Sequence, residues 1–143
     1  IVYDALANLP FYLLANTLGS VVITNADLRG KIGLVVTDKK TGRSNITLSA
    51  TALKTTKANP KSVSSFNTLH MVGHAVMDSV TQNPQLFGIT SKELHQATTE
   101  MQFLSHHAGS NTQSAWAEGF AARVAHGRSF GQASSQMFKK LGV

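Results

Sequence analysis

The spacing of apolar residues divides the chain into a first part typical of strands and a second part typical of helices. At the start, leucines recur near helical spacing and predict a helix over residues 4–18 that ends at Gly19. Three short β-branched or alternating segments follow, and they predict strands at Val21–Thr24, Lys31–Thr37 and Asn45–Ser49. A polar turn from Asp38 to Gly42 predicts that the last two strands form a hairpin. The alternation in the third segment indicates a half-buried strand at the edge of a sheet.

The second part predicts a loop followed by four helices. Lys, Thr, Ser, Asn and Pro dominate residues 51–64 and favour the loop. The helices are expected at residues 65–80, from a capping box at Thr90 to about Phe103, at 112–125 and at 131–141. This order predicts an α+β fold in one domain, residues 1–143, with a helix-plus-sheet half at 1–64 and a helical half at 65–143.

Composition narrows the function classes. The chain has no cysteine, which excludes disulfides, thiolate metal sites and cysteine nucleophiles. No apolar run approaches the ~20 residues that span a bilayer. Thirteen Lys and Arg against seven Asp and Glu give a net charge of +6. The basic residues are scattered and are not interleaved with aromatics, which argues against nucleic acid as a partner. A basic domain that binds nucleic acid or an anionic surface without catalysis remains the alternative from another class.

Two histidines at helical spacing are the main candidates for chemistry. His70 and His74 are four residues apart in the predicted helix 65–80, so both imidazoles lie on one face and are able to share a zinc ion. Six histidines in the chain produce such a pair by chance often enough that the pair alone is weak evidence. Asp78, one turn further on, is a candidate hydrogen-bond acceptor that would support a zinc-bound histidine, or else a solvated helix residue.

The residues around the pair carry a resemblance to a known family. The segment from Thr68 to Asp78 reads TLHMVGHAVMD, and it resembles the HExxH helix of gluzincin metallopeptidases. The segment from Ser114 to Ala121 reads SAWAEGFA, and it resembles the second helix of that family, which carries the glutamate ligand. The order of the elements before both helices is similar to the catalytic domain of the anthrax lethal factor and Pro-Pro endopeptidase group.

The resemblance implies a fold, a metal and a partner. The fold would be zincin-like, with a small twisted mixed sheet, an antiparallel edge strand, an active-site helix and a C-terminal helical half. Zn²⁺ would be held by His70, His74 and Glu118, and Gly73 would let another backbone pack close to the helix. The partner would be a peptide or protein substrate, and the protein would be secreted or extracellular. By the same analogy the substrate would pair with an edge strand, here made of Asn45, Ile46, Thr47, Leu48 and Ser49.

The sequence departs from the family at two positions that matter for catalysis. Met71 stands where the family has its general-base glutamate, and a thioether is only a weak acceptor that carries no titratable proton. Asn111 stands where the lethal-factor branch has a tyrosine near the reacting carbonyl, and His107 in the same segment is a further candidate for that contact. We therefore expect a zinc-dependent metalloendopeptidase domain whose hydrolysis is weakened or lost, or a zinc-binding pseudopeptidase that acts as a peptide-binding module.

Overall fold

A computed structural model describes residues 1–57, 60–102 and 112–143 of the chain. Within these ranges the fold is α+β, as predicted, with three strands and seven α-helices. The strands are β1 (Leu18–Thr24), β2 (Gly33–Thr37) and β3 (Ser44–Ser49). The helices are α1 (Val2–Ala7), α2 (Phe11–Thr17), α3 (Ala50–Leu53), α4 (Lys61–Gln82), α5 (Ser91–Met101), α6 (Thr112–His126) and α7 (Gln132–Lys140), with a 3₁₀ turn at Pro84–Phe87.

The predicted single helix at residues 4–18 is wrong, because the chain forms two short helices there. Pro10 takes an extended conformation (φ −59°, ψ 136°) at the start of α2. Proline lacks an N–H group and cannot continue the helix that precedes it. Gly19 does not end a helix either, since it lies within β1. A Cβ atom on Gly19 would lie 2.6 Å from Asn45 Oδ1, so the glycine leaves room for the Asn45 side chain of β3.

The sheet has the strand order β1-β3-β2. β3 pairs in parallel with β1 and antiparallel with β2, so that Thr47 lies between Val22 and Leu34. The predicted hairpin of β2 and β3 is confirmed, and the Asp38 N–H donates to the Arg43 carbonyl at 2.8 Å across its turn. The prediction that Asn45–Ser49 is an edge strand is wrong, because β3 is the central strand. An alternation of apolar and polar residues indicates that one face of the strand is buried, but it does not distinguish a central strand from an edge strand.

The segment predicted as a loop at residues 51–64 contains more structure than expected. α3 occupies Ala50–Leu53, and the Ser49 hydroxyl accepts from the Ala52 N–H at its start. α4 begins at Lys61, directly after Pro60, and runs for 22 residues to Gln82. Because proline is well suited to a helix start, Pro60 in a polar segment was a signal for α4 rather than against it. The predicted break at Asn83-Pro84 is confirmed.

The helical half packs around α4, which contacts α6 more extensively than any other element. The capping box at Thr90 and Glu93 is confirmed at the start of α5. Gly127, with φ 65°, follows the last residue of α6. The aromatic core consists of Trp116, Phe120 and Phe138, which are fully buried and in mutual ring contact. In the described ranges no helix combines the length and apolarity needed to cross a membrane.

Candidate metal and peptide site

The two predicted zinc ligands lie together on α4. His70 and His74 are one turn apart, both half-buried, and their Nε2 atoms are 3.2 Å from each other. The ring planes are inclined by 72°, with centroids 4.9 Å apart. The helical spacing therefore brings the two outer ring nitrogens to one point, as the sequence predicted.

The separation of the nitrogens fits two kinds of interaction. Two ligands at zinc–nitrogen distances of ~2.0–2.1 Å with tetrahedral angles are about 3.3–3.4 Å apart. The observed 3.2 Å is close to that value. The same distance suits an N–H···N hydrogen bond in which one imidazole donates and the other accepts, the roles depending on the tautomers. The pair thus has the geometry of a metal-binding pair, and it also has a stable arrangement without metal.

Gly73 lies between the histidines and forms a close contact between α4 and α6. A Cβ atom built on Gly73 would be 3.0 Å from both the Cα atom and the carbonyl oxygen of Ala117. The prediction that Gly73 admits a neighbouring backbone is confirmed. Since Ala117 precedes Glu118, the contact fixes where the predicted third ligand lies relative to the pair along α6.

Glu118 is half-buried on α6. Within residues 1–57, 60–102 and 112–143, no three or more His, Asp or Glu side chains are grouped closely enough to share a metal ion. The described residues thus supply the histidine pair, and Glu118 as the third ligand stays a prediction.

A cleft of about 230 Å³ adjoins His74 of the pair. Its walls come from β2, α4 and the start of α6, and they comprise Lys31, Gly33, Leu34, Val35, Met71, His74, Asp78 and Gln113. Met71 is 7% exposed and belongs to the apolar core, with its Cε atom near Gly33. The cleft floor beside His74 is therefore a thioether, which offers no proton transfer.

Sequence reasoning missed the contributions of β2 and Gln113 to this cleft. Gln113 lies one turn before Ala117 on α6, and that helical spacing was the available signal. The contribution of β2 depends on the strand order, which local patterns do not encode. A Cβ atom on Gly33 would lie 2.5 Å from the Thr47 carbonyl oxygen, so glycine is needed where β2 meets β3 beside the cleft.

The outer edge of β2 is free in the described part of the chain. The Ile32 carbonyl accepts from the Ser49 N–H, and the Asp38 N–H donates to Arg43, so these even-numbered residues direct their backbone groups toward β3. Because neighbouring residues of a strand alternate, Gly33, Val35 and Thr37 direct theirs to the open edge. This edge, and not β3, is available to pair with an added strand.

Asp78 connects the cleft to the sheet. Its Oδ2 atom accepts a hydrogen bond of 2.9 Å from the Thr37 hydroxyl, and that hydroxyl also lies 2.7 Å from the Ser44 hydroxyl. Asp78 is therefore neither a freely solvated residue nor, in the described contacts, a partner of His74. Its role as an acceptor for a zinc-bound histidine stays a prediction, while its hydrogen bond with Thr37 links α4 to β2. The predicted oxyanion contacts, Asn111 and His107, lie outside the described residues.

Comparisons with known proteins give no match: no family model, no curated protein and no solved structure matches this chain.

Proposed function

We propose that the chain is a zinc-binding domain of the metallopeptidase type, which holds an extended peptide along β2 and hydrolyses it weakly or not at all. The observation that carries the proposal is the convergence of His70 Nε2 and His74 Nε2 to 3.2 Å at the wall of a cleft. A pair at this spacing needs little rearrangement to bind an ion, and binding would replace the N–H···N contact by two metal–ligand bonds.

The histidines and Glu118 are the residues proposed to hold the metal. Bound zinc would polarise a carbonyl group and lower the pKa of a bound water. The chain itself would position the substrate, because the N–H and C=O groups of Gly33, Val35 and Thr37 point away from β3, have no partner among the described residues, and suit a peptide that adds to the sheet as a further strand. Thr37 is itself held by Asp78, so the edge and the histidine helix are joined by a direct hydrogen bond.

Met71 is the reason for proposing weak or absent hydrolysis. A positioned general base contributes typically about 10²–10⁴-fold to the rate. The thioether of Met71 cannot accept and return a proton at neutral pH. In the residues that line the described cleft, the one carboxylate is Asp78, and it accepts from Thr37. A peptide-binding pseudopeptidase is therefore the form of the proposal that the cleft favours over an efficient protease.

Zinc titration of the metal-free protein tests the proposal. We expect one zinc per chain by calorimetry and elemental analysis, and a loss of affinity of at least about tenfold in both His70→Ala and His74→Ala. His95→Ala is the matched control, because His95 is an exposed histidine on α5 and lies away from the cleft. Glu118→Gln measured in parallel tests the third ligand.

Two results would contradict the proposal. The first is a wild-type chain that takes up no zinc at micromolar concentrations. The second is zinc uptake that His95→Ala weakens as much as the changes at His70 and His74, because the ion would then bind to scattered surface histidines.

A further inference from the structure

The cations around β2 are not balanced by neighbouring acids. Between residues 27 and 43 the chain has five basic residues and two acidic ones. The basic residues are Arg29, Lys31, Lys39, Lys40 and Arg43, and all are exposed. The described residues contain two ion pairs, Lys61 with Asp4 and Lys140 with Glu93, so none of these five is paired.

The acids of this region are occupied by the chain itself. Asp27 accepts from the Arg29 N–H at 2.8 Å, and Asp38 accepts from the Lys40 N–H at 2.7 Å. Asp78, on the opposite wall, accepts from Thr37. Their carboxylates stabilise two turns and the contact of β2 with α4 and keep their negative charge. The five basic and two acidic residues between positions 27 and 43 therefore leave this segment with a net charge of +3 (5 − 2).

The cations lie at both ends of the free edge. Lys31 comes two residues before β2 and lines the cleft, whereas Lys39 and Lys40 follow β2 in the hairpin turn. Since β2 has five residues and a strand rises about 3.3 Å per residue, a peptide of about seven residues that pairs with the whole edge would reach cations at each end. This holds for either direction of the peptide.

The outer face of the sheet adds an apolar preference. Leu34 and Val36 are 42% and 68% exposed, and Val22 lies in register with Leu34 across Thr47. Side chains of an added strand alternate between the two faces. Every second residue of a peptide on β2 would therefore lie beside Leu34 or Val36, where apolar or β-branched side chains form favourable cross-strand pairs.

From these placements we infer the substrate class of the proposed site: an extended peptide with apolar side chains at alternate central positions and acidic residues at its ends. This inference rests on the proposed function, because it assigns the ligand to the same edge of β2. Charge complementarity argues against a second copy of the chain as the occupant, since two chains of net charge +6 repel each other.

The test measures binding of three labelled peptides to the zinc-loaded full chain by fluorescence anisotropy. All have alternating threonine and valine at five central positions, and they carry two glutamates, two glutamines or two lysines at each end. We expect the glutamate peptide to bind at least about tenfold more tightly than the glutamine peptide, and the lysine peptide to bind least. The preference should fall as salt is raised from 50 mM toward 0.5 M.

Charge-reversal variants test whether the preference for the glutamate peptide arises from the lysines beside β2. Lys39→Glu combined with Lys40→Glu should reduce the preference for the glutamate peptide, while Lys31 remains at the other end of the edge. The control combines Lys57→Glu with Lys139→Glu, two exposed lysines outside the β2 region that change the net charge equally, and it should keep the preference.

The outcomes separate the two proposals. Equal binding of all three peptides would overturn the acidic preference and leave peptide binding on β2 in place. Loss of the preference in the control as well would overturn the assignment to β2. If no peptide binds, the peptide-binding function itself fails. Binding to phosphatidylserine vesicles through Lys39 and Lys40, without peptide binding, would replace the peptide by a membrane surface.

Discussion

Gly73 faces the backbone of Ala117 at a distance that leaves no room for a side chain: a Cβ atom would lie 3.0 Å from the Ala117 Cα atom. Helix propensity favours alanine over glycine by about 1 kcal/mol. The contact atoms belong to the backbone, however, so α4 and α6 would have to separate, and overpacking of this kind costs typically about 1–3 kcal/mol. We expect Gly73→Ala to lower the free energy of unfolding by about 1 kcal/mol, measured by urea denaturation.

Thr81→Ala is the control for this change, because Thr81 is exposed near the end of α4 and the substitution raises helix propensity without a new contact. It should be neutral or slightly stabilising. A Gly73→Ala chain as stable as Thr81→Ala would mean that the helices adjust without cost and that the close approach is not required.

Restoring a carboxylate at residue 71 should reveal whether the scaffold is a protease. In zinc-loaded Met71→Glu we expect cleavage of a peptide mixture, followed by mass spectrometry, to exceed that of the parent by about 10²–10⁴-fold. Met71→Gln, which has a similar shape and no base, should stay at the level of the parent. If Met71→Glu binds zinc, retains its circular dichroism spectrum and remains inert, the domain is a binding module.

Removing the hydrogen bond between Thr37 and Asp78 distinguishes two roles of Asp78, which are to stabilise the fold and to support a zinc-bound histidine. Asp78→Ala and Thr37→Val each remove the bond and should destabilise the chain by about 1 kcal/mol, with less than additive effects in the double variant. Urea denaturation of the four proteins gives the coupling. A tenfold drop of zinc affinity in Asp78→Ala that is absent from Thr37→Val would establish that Asp78 supports a zinc-bound histidine.

The ionisation of Glu100 makes the stability of the helical half depend on pH. Burial opposes the ionisation of Glu100, but hydrogen bonds from the Ser134 N–H and hydroxyl and from the Ala133 N–H outweigh it, and its pKa lies below the ordinary value of 4.5. A pKa that is lowered on folding contributes stability above the unfolded value, and this stability is lost as the pH falls through the folded value. The pKa of Glu93 is lowered in the same direction, chiefly by its hydrogen bond to Lys140.

We therefore expect Glu100→Gln to be less stable than the parent by about 1 kcal/mol at pH 7, since it weakens the cap of α7. The two proteins should converge as the pH falls through the lowered folded-state pKa of Glu100, where its carboxylate becomes protonated. Thermal unfolding across this range measures the difference. The control is Asp4→Asn, which removes an exposed ion pair and should change the stability little at pH 7. A stability difference between Glu100→Gln and the parent that persists unchanged in acid would show that the charge of Glu100 does not stabilise α7.

The sequence predicts best those features that short-range chemistry determines. The capping box at Thr90, the break at Asn83 and the convergence of His70 and His74 follow from residues within one or two turns. The central position of β3 does not, because pairing with β1 depends on contacts distant in the chain. The error about the substrate strand has the same origin, since the residues that line the cleft from β2 are recognised only when the strand order is known.

The central position of β3 also constrains the order of folding. The hairpin of β2 and β3 closes across the short turn at 38–43, whereas the parallel ladder with β1 joins residues much farther apart in the chain. We expect the hairpin to form early and β1 to join it later. Disruption of the turn by Gly42→Val, at a glycine with φ 72°, should therefore slow refolding in stopped-flow experiments, while Val21→Ala in β1 should mainly accelerate unfolding. Equal effects of both changes on the refolding rate would instead indicate that the sheet forms in a single concerted step.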